Sequence, residues 1–247
     1  MVFLTTKLWG WKTWIKFWIL RTEDTITIKG IHYKIKNDNF VDLVANLAVV
    51  FEVLMYDDYG KCEIKKDDTV IDIGGHIGSF ALYAASKAKK VYAFEPFEES
   101  YNMLQTNIKI NNAINVIAFN TAVGSENRET TLYLDKNRGE NSLYKKTGEP
   151  VSIKMVDLKT IFENNNLKYC NVLKMDCEGG EYAILFSSEQ ELKKIDRIIM
   201  EYHLPEHFGL QEKYSFKRLV QYLKNNDFSV EIDEKKFYQG ILYAKKH

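Results

Sequence analysis

Apolar and polar positions divide this chain into an irregular start and a regular remainder. In residues 1–21, Leu4, Leu8, Trp11, Ile15 and Trp18 recur at helical spacing, with Lys7, Lys12, Lys16 and Arg21 between them. Such a stripe suits a helix docked on the domain as a lid. Tryptophan beside lysine also suits a membrane surface; docking is the preferred expectation. The lysines and Gly10 break the run well short of the ~20 apolar residues that cross a bilayer. No small-residue cleavage site follows, so a signal peptide is not expected either. Residues 25–38, TITIKGIHYKIKND, alternate with period two on both sides of Lys29-Gly30, which predicts a β-hairpin. Residues 40–60 show helical apolar spacing and stop at Gly60.

From Asp67 onward, short apolar runs alternate with helical patterns. Strands are expected at 69–74, 91–95, 115–120, 130–135, 171–176 and 196–203, with two more at 228–233 and 236–246 around a turn near Asp233-Glu234. Helices are expected at 77–90, 98–112, 156–166, from 181 and at 216–226, and the polar stretch 135–150 reads as a loop. Alternation of this kind means an α/β fold: a Rossmann-like, doubly wound, mostly parallel sheet with an antiparallel C-terminal strand. The expected division is an N-terminal helical and hairpin extension over 1–66 and a catalytic-type domain over 67–247. Ligands of such sheets bind beyond the carboxyl ends of the strands. Asp72, Glu95, Asp176 and Glu201 are expected there.

Composition narrows the partners. Thirty-four basic residues balance 34 acidic ones, which argues against a general nucleic-acid binder. The three cysteines, Cys62, Cys170 and Cys177, form no zinc pattern and no disulfide framework, so a reducing, cytoplasmic setting is expected, with contact to a membrane surface through residues 1–21 as its one qualification.

The loop IDIGGHIGSF (71–80) sets Gly74, Gly75 and Gly78 between a strand and a helix. A dinucleotide fingerprint needs glycine where His76 stands, and no P-loop lysine is present. Asp72 at the strand end suits a sulfonium or ammonium group, and S-adenosylmethionine carries both. Glu95, at the next strand end, suits a pair of ribose hydroxyls. The plainer alternative has Asp72 capping a helix and Glu95 solvated. NAD would satisfy Glu95 too, but its pyrophosphate needs the glycine that His76 replaces.

Taken together and in this order, VIDIGGHIGSFALYAA, VYAFEP and LKMDCEGGEYAIL resemble the FkbM-type methyltransferases, class I enzymes that use S-adenosylmethionine and act mostly on hydroxyls of natural products or glycans. The resemblance covers roughly residues 67–203. It implies cofactor binding by Asp72, Gly74, Gly78 and Glu95, with Pro96 and Ala122 as further candidates. Gly75 and His76 depart from the alanine and asparagine expected there, though His76 keeps a polar side chain in place.

The block LKMDCEGGEYAIL brings Asp176, Glu178 and Glu181 within six residues. Asp176 or Glu178 could serve as a general base toward a substrate hydroxyl, or the two could bind a divalent cation that acidifies it. Alternatively, Glu181 faces a helix N-terminus and Glu178 bonds loop amides. His203 ends the fifth core strand and is a candidate base of near-neutral pKa, with Asp176 as its orienting partner. Arg138, Ser142 and Lys145 are candidate acceptor contacts in the 135–150 loop. The expected activity is O-methylation of a small molecule or glycan. An RNA or protein acceptor, a nucleotide-dependent oxidoreductase and a noncatalytic nucleoside-binding module are the alternatives.

Overall fold

A computed structural model describes residues 25–35, 47, 48, 50, 53, 61–134, 141–144, 148–236 and 238–247. The tryptophan-rich segment, Arg138 and Lys145 lie outside the described residues. Strands β1 (Thr25–Ile28) and β2 (Ile31–Lys34) form the expected hairpin. The core is a seven-stranded sheet of β3 (Thr69–Ile73), β4 (Lys90–Phe94), β5 (Val116–Phe119), β9 (Cys170–Met175), β10 (Ile195–His203), β11 (Phe228–Lys236) and β12 (Gln239–Lys246). Their spatial order is β11-β12-β10-β9-β3-β4-β5. The five strands from β10 to β5 are parallel, and β12 runs antiparallel to both its neighbours.

The central strands are mostly apolar because both faces are covered, with Asp72 of β3 and Lys174 of β9 as buried charged exceptions. Ile71, Ile73, Leu173, Met175, Ile198 and Met200 face one core with α3 (Leu158–Asn164), α4 (Glu181–Phe186), α5 (Glu189–Leu192) and α6 (Phe216–Asn225). Val70, Val91, Ala93, Val172 and Ile199 face the other. That second core includes residues of α1 (Ser79–Ala85) and α2 (Glu98–Ile110), the hairpin's Ile26 and Tyr33, and Leu47, Val50 and Val53. The buried Asn107 of α2 ties the hairpin to the glycine loop: its Oδ1 accepts from the Lys34 amide (2.6 Å), and its Nδ2 donates to the carbonyls of Lys34 (3.2 Å) and Ile77 (2.8 Å).

A small second sheet, β6 (Ala122–Val123), β8 (Glu149–Val156) and β7 (Arg128–Leu134), sits between β5 and α3 in the chain. The loop reading of 135–150 runs over the first two residues of β8, Glu149 and Pro150, and β8 itself is not predicted. Its first residues, Glu149-Pro150, signal a turn, and most of its positions are exposed or half-buried, so no apolar rhythm marks it. The turn expected near Asp233-Glu234 lies later, between Lys236 and Gln239, because β11 continues through the acidic pair across a register shift at Glu234/Lys236. Glu201 is inside β10, opposite Ile241, and His203 rather than Glu201 stands at the strand's end. No described helix is long and apolar enough to cross a membrane.

Candidate active site

The connections from β3 and β9 leave their strands toward opposite sides of the sheet, β3 toward β4 and β9 toward β10. The crevice between the two loops is the position where open α/β sheets bind ligands. The loops touch through backbone. The Asp176 amide donates to the Ile73 carbonyl (3.0 Å), and the amides of Gly74 and Gly75 both donate to the Phe94 carbonyl (3.0 Å each). A Cβ on Gly74 would stand 1.8 Å from the Asp176 carbonyl oxygen, and Gly74 has φ +78°. Only a residue without a side chain fits. Gly75 lies against Ala93 and Leu104, and Gly78 is the N-cap of α1.

Asp72 is fully buried and caps no helix. Neither of its carboxylate oxygens has a hydrogen bond of good geometry. Burial pushes its pKa up, against the pull of Lys174, whose ammonium lies 3.2 Å from Oδ1. Glu95 directly follows the last residue of β4. Its Oε2 accepts from the His76 amide (2.8 Å) and its Oε1 from the Phe97 amide (2.9 Å). Each oxygen keeps a further lone pair. Burial raises Glu95 to about 7 despite those two bonds. The carbonyls of Glu95 and Pro96 are both held by the Asn120 amide group. Ala122 is buried in β6 opposite Met155, two residues beyond that contact. His76 is half-buried with φ 47°; its Nδ1 is shut from solvent and unpaired, and burial lowers its pKa to about 4.

On the β9–β10 side, Asp176, Glu178 and His203 each bring a donor atom within 4.8 Å of the others. Glu181, at the start of α4 and fully buried, gathers this group. Its Oε1 lies 3.3 Å from the Cys177 amide, 3.4 Å from the Gly179 amide and 3.3 Å from His203 Nδ1. His203 Nε2 then faces Glu178 Oε2 at 3.5 Å. Burial opposes the histidine's charge, but the Glu181 bond and the carboxylates around it outweigh that and raise its pKa to about 10. This differs from the near-neutral base expected of a histidine at a strand end, since the sequence does not reveal how many carboxylates enclose it. Burial raises Glu178 to about 8, with the His203 charge pulling the other way. Glu178 has a left-handed backbone (φ 50°), and its carbonyl accepts from the buried Ser142 hydroxyl (2.8 Å). The strap 141–144 thus reaches the acidic group, as a support of its backbone. The other three histidines stand apart: His32 bonds Thr27 in the hairpin, His207 stacks on Tyr238, and the His247 amide donates to the Asp227 carbonyl.

Lys174 and Glu181 carry more of this arrangement than sequence reasoning assigned them. The signal for Lys174 was a lone charge inside the apolar run NVLKM.

This sheet order, with its antiparallel seventh strand and its crevice beyond β3 and β9, defines a Rossmann-like methyltransferase fold. A model of the methyltransferase FkbM domain matches residues 72–230, and the chain belongs to that family. It is 28% identical over 190 residues to Methyltransferase 1 of Beauveria bassiana, covering 66% of this chain and 76% of that protein. It is 26% identical over 141 residues to the hexuronic acid methyltransferase AglP of Haloferax volcanii, covering 57% and 58% of the two chains. Among solved structures it is similar to the FkbM methyltransferase of Methylobacillus flagellatus (TM-score 0.51, 14% identity, 83% of this chain and 55% of that one). It is likewise similar to SMU.1697c of Streptococcus mutans, solved in complex with SAH (TM-score 0.51, 12% identity, 79% and 97%).

Proposed function

We propose that this protein transfers a methyl group from S-adenosylmethionine to a hydroxyl of a glycan or small molecule. The observation that carries the reading is the juxtaposition, at one crevice, of a nucleoside-type site with a group of proton-handling side chains. The nucleoside-type side fits the cofactor. Glu95 offers two unused lone pairs to a ribose, the glycine loop is packed against the end of β9 by the close Gly74–Asp176 contact, and the buried Nδ1 of His76 lacks a hydrogen bond. S-adenosylmethionine supplies a methyl group already activated on a sulfonium, so alignment provides much of the acceleration.

The chain's own work is then to hold the acceptor hydroxyl and remove its proton. Glu178 is the preferred base, because a carboxylate raised to about 8 is a strong proton acceptor once ionised. Glu181 orients His203, and the charged imidazole steadies Glu178 after ionisation. Asp176 lines the same group. A divalent cation on Asp176, Glu178 and His203 is the second reading, favoured by their converging donors. Binding of the ion would displace the protons of Glu178 and His203, and the ion rather than Glu178 would then acidify the acceptor hydroxyl.

A glycan acceptor is supported by the kinship with the hexuronic acid methyltransferase. Balanced charge gives no support to an RNA acceptor. Incubation of the protein with isotope-labelled methyl donor and a panel of saccharides, followed by mass spectrometry, is expected to place the label on an oxygen. Label on RNA, on protein or on nitrogen alone would sink this acceptor assignment.

A further inference from the structure

Lys174 lies inside β9 with 3% of its surface exposed. A buried ammonium is costly unless surrounding groups satisfy it. Strand register accounts for its main partner. Asp72 and Lys174 are opposed residues of the parallel pair β3–β9, so their side chains leave the same face of the sheet side by side. The ammonium lies 3.2 Å from Asp72 Oδ1 and donates to the Gly74 carbonyl at 2.9 Å. It also stands over the Phe80 ring of α1, 5.8 Å from the centroid.

A purely structural ion pair needs only the carboxylate. Here the same ammonium also grips the first peptide of the glycine loop, one residue before the loop's buried turn over Leu104 and Ala93. That peptide is bounded on its other side by the Asp176 carbonyl, so Lys174 and Asp176 hold Gly74 between them. The Asp72 charge is thereby countered from within the protein. Asp72 is fully buried, and a ligand cation would meet it already paired. The direct attraction of Asp72 for a sulfonium, expected from sequence, becomes an indirect one through the loop it shares with Lys174.

We propose that Lys174 is the positioning residue of the glycine loop, its ammonium locking the Gly74 carbonyl and the Asp72 carboxylate in the arrangement that receives the cofactor. This rests on the cofactor reading above. The test uses Lys174→Met and the charge-neutral pair Asp72→Asn/Lys174→Met. The single variant strands a buried carboxylate and is expected to lower Tm. The double variant removes both charges and is expected to regain most of that Tm while still binding S-adenosylhomocysteine at least tenfold more weakly than wild type. In turnover assays its KM for the methyl donor rises by a similar factor, and its KM for the acceptor stays within about twofold. A double variant that binds S-adenosylhomocysteine with wild-type affinity would show that the pair is structural only and would overturn the role given to Lys174. Absence of binding to the wild type would overturn the cofactor reading itself, and this role with it.

Discussion

Glu178→Gln is expected to lower kcat for methyl transfer by about 10²- to 10⁴-fold, the range over which a positioned general base contributes. The amide keeps the size of the side chain and a hydrogen-bonding group toward His203, so folding and S-adenosylhomocysteine affinity should be preserved. The pH profile separates this from a packing effect. A carboxylate acts as a base only when ionised, and burial raises Glu178 to about 8. Wild-type kcat should therefore climb with pH up to about 8 and then level, while the Gln variant loses that climb. A variant that keeps both the rate and the slope would show that another group takes the proton.

Gly74→Ala is expected to abolish S-adenosylhomocysteine binding and to lower Tm by several degrees. Two costs add. A left-handed backbone burdens a non-glycine residue by about 1–2 kcal/mol, and Gly74 has φ +78°. The new methyl would also lie 1.8 Å from the Asp176 carbonyl oxygen, which is backbone and must move with β9's end. Because that carbonyl belongs to the residue before Cys177-Glu178, the shift disturbs both halves of the site. Gly30→Ala is the control. Its φ is also positive, +80°, but nothing lies within 4 Å of its Cβ, so only the conformational cost applies. Equal Tm losses in the two variants, with binding intact in both, would remove the argument for loop contact at Gly74.

The parts of this molecule that were legible in sequence are those whose cause is local. Apolar runs such as TVIDI and NVLKM read as buried parallel strands because a sheet covered on both faces needs no alternation. The glycine loop and the acidic block were legible because turns and strand ends carry their own residue signatures. The hairpin was legible through the period-two alternation on both sides of Lys29-Gly30, and both turn residues have left-handed backbones. What escaped depends on distant partners. Strand β8 stabilises itself by pairing with β7 and β6, not by an apolar face of its own. Lys174 meets Asp72 only through a register linking residues 102 positions apart (174 − 72). The proton on His203 depends on Glu181, which turns inward from the first turn of α4, where charge alone would have left it facing solvent or the helix N-terminus.

The central claim is that one crevice at the carboxyl ends of β3, β4 and β9 grips an adenosyl group. Isothermal titration with S-adenosylhomocysteine tests it most directly, on the wild type and on Glu95→Ala, with Tm recorded for both. Saturable one-site binding is expected, weakened at least about tenfold in the variant because a buried two-oxygen contact to the ribose is lost. No binding to the wild type, or undiminished affinity in a folded Glu95→Ala protein, would contradict the account.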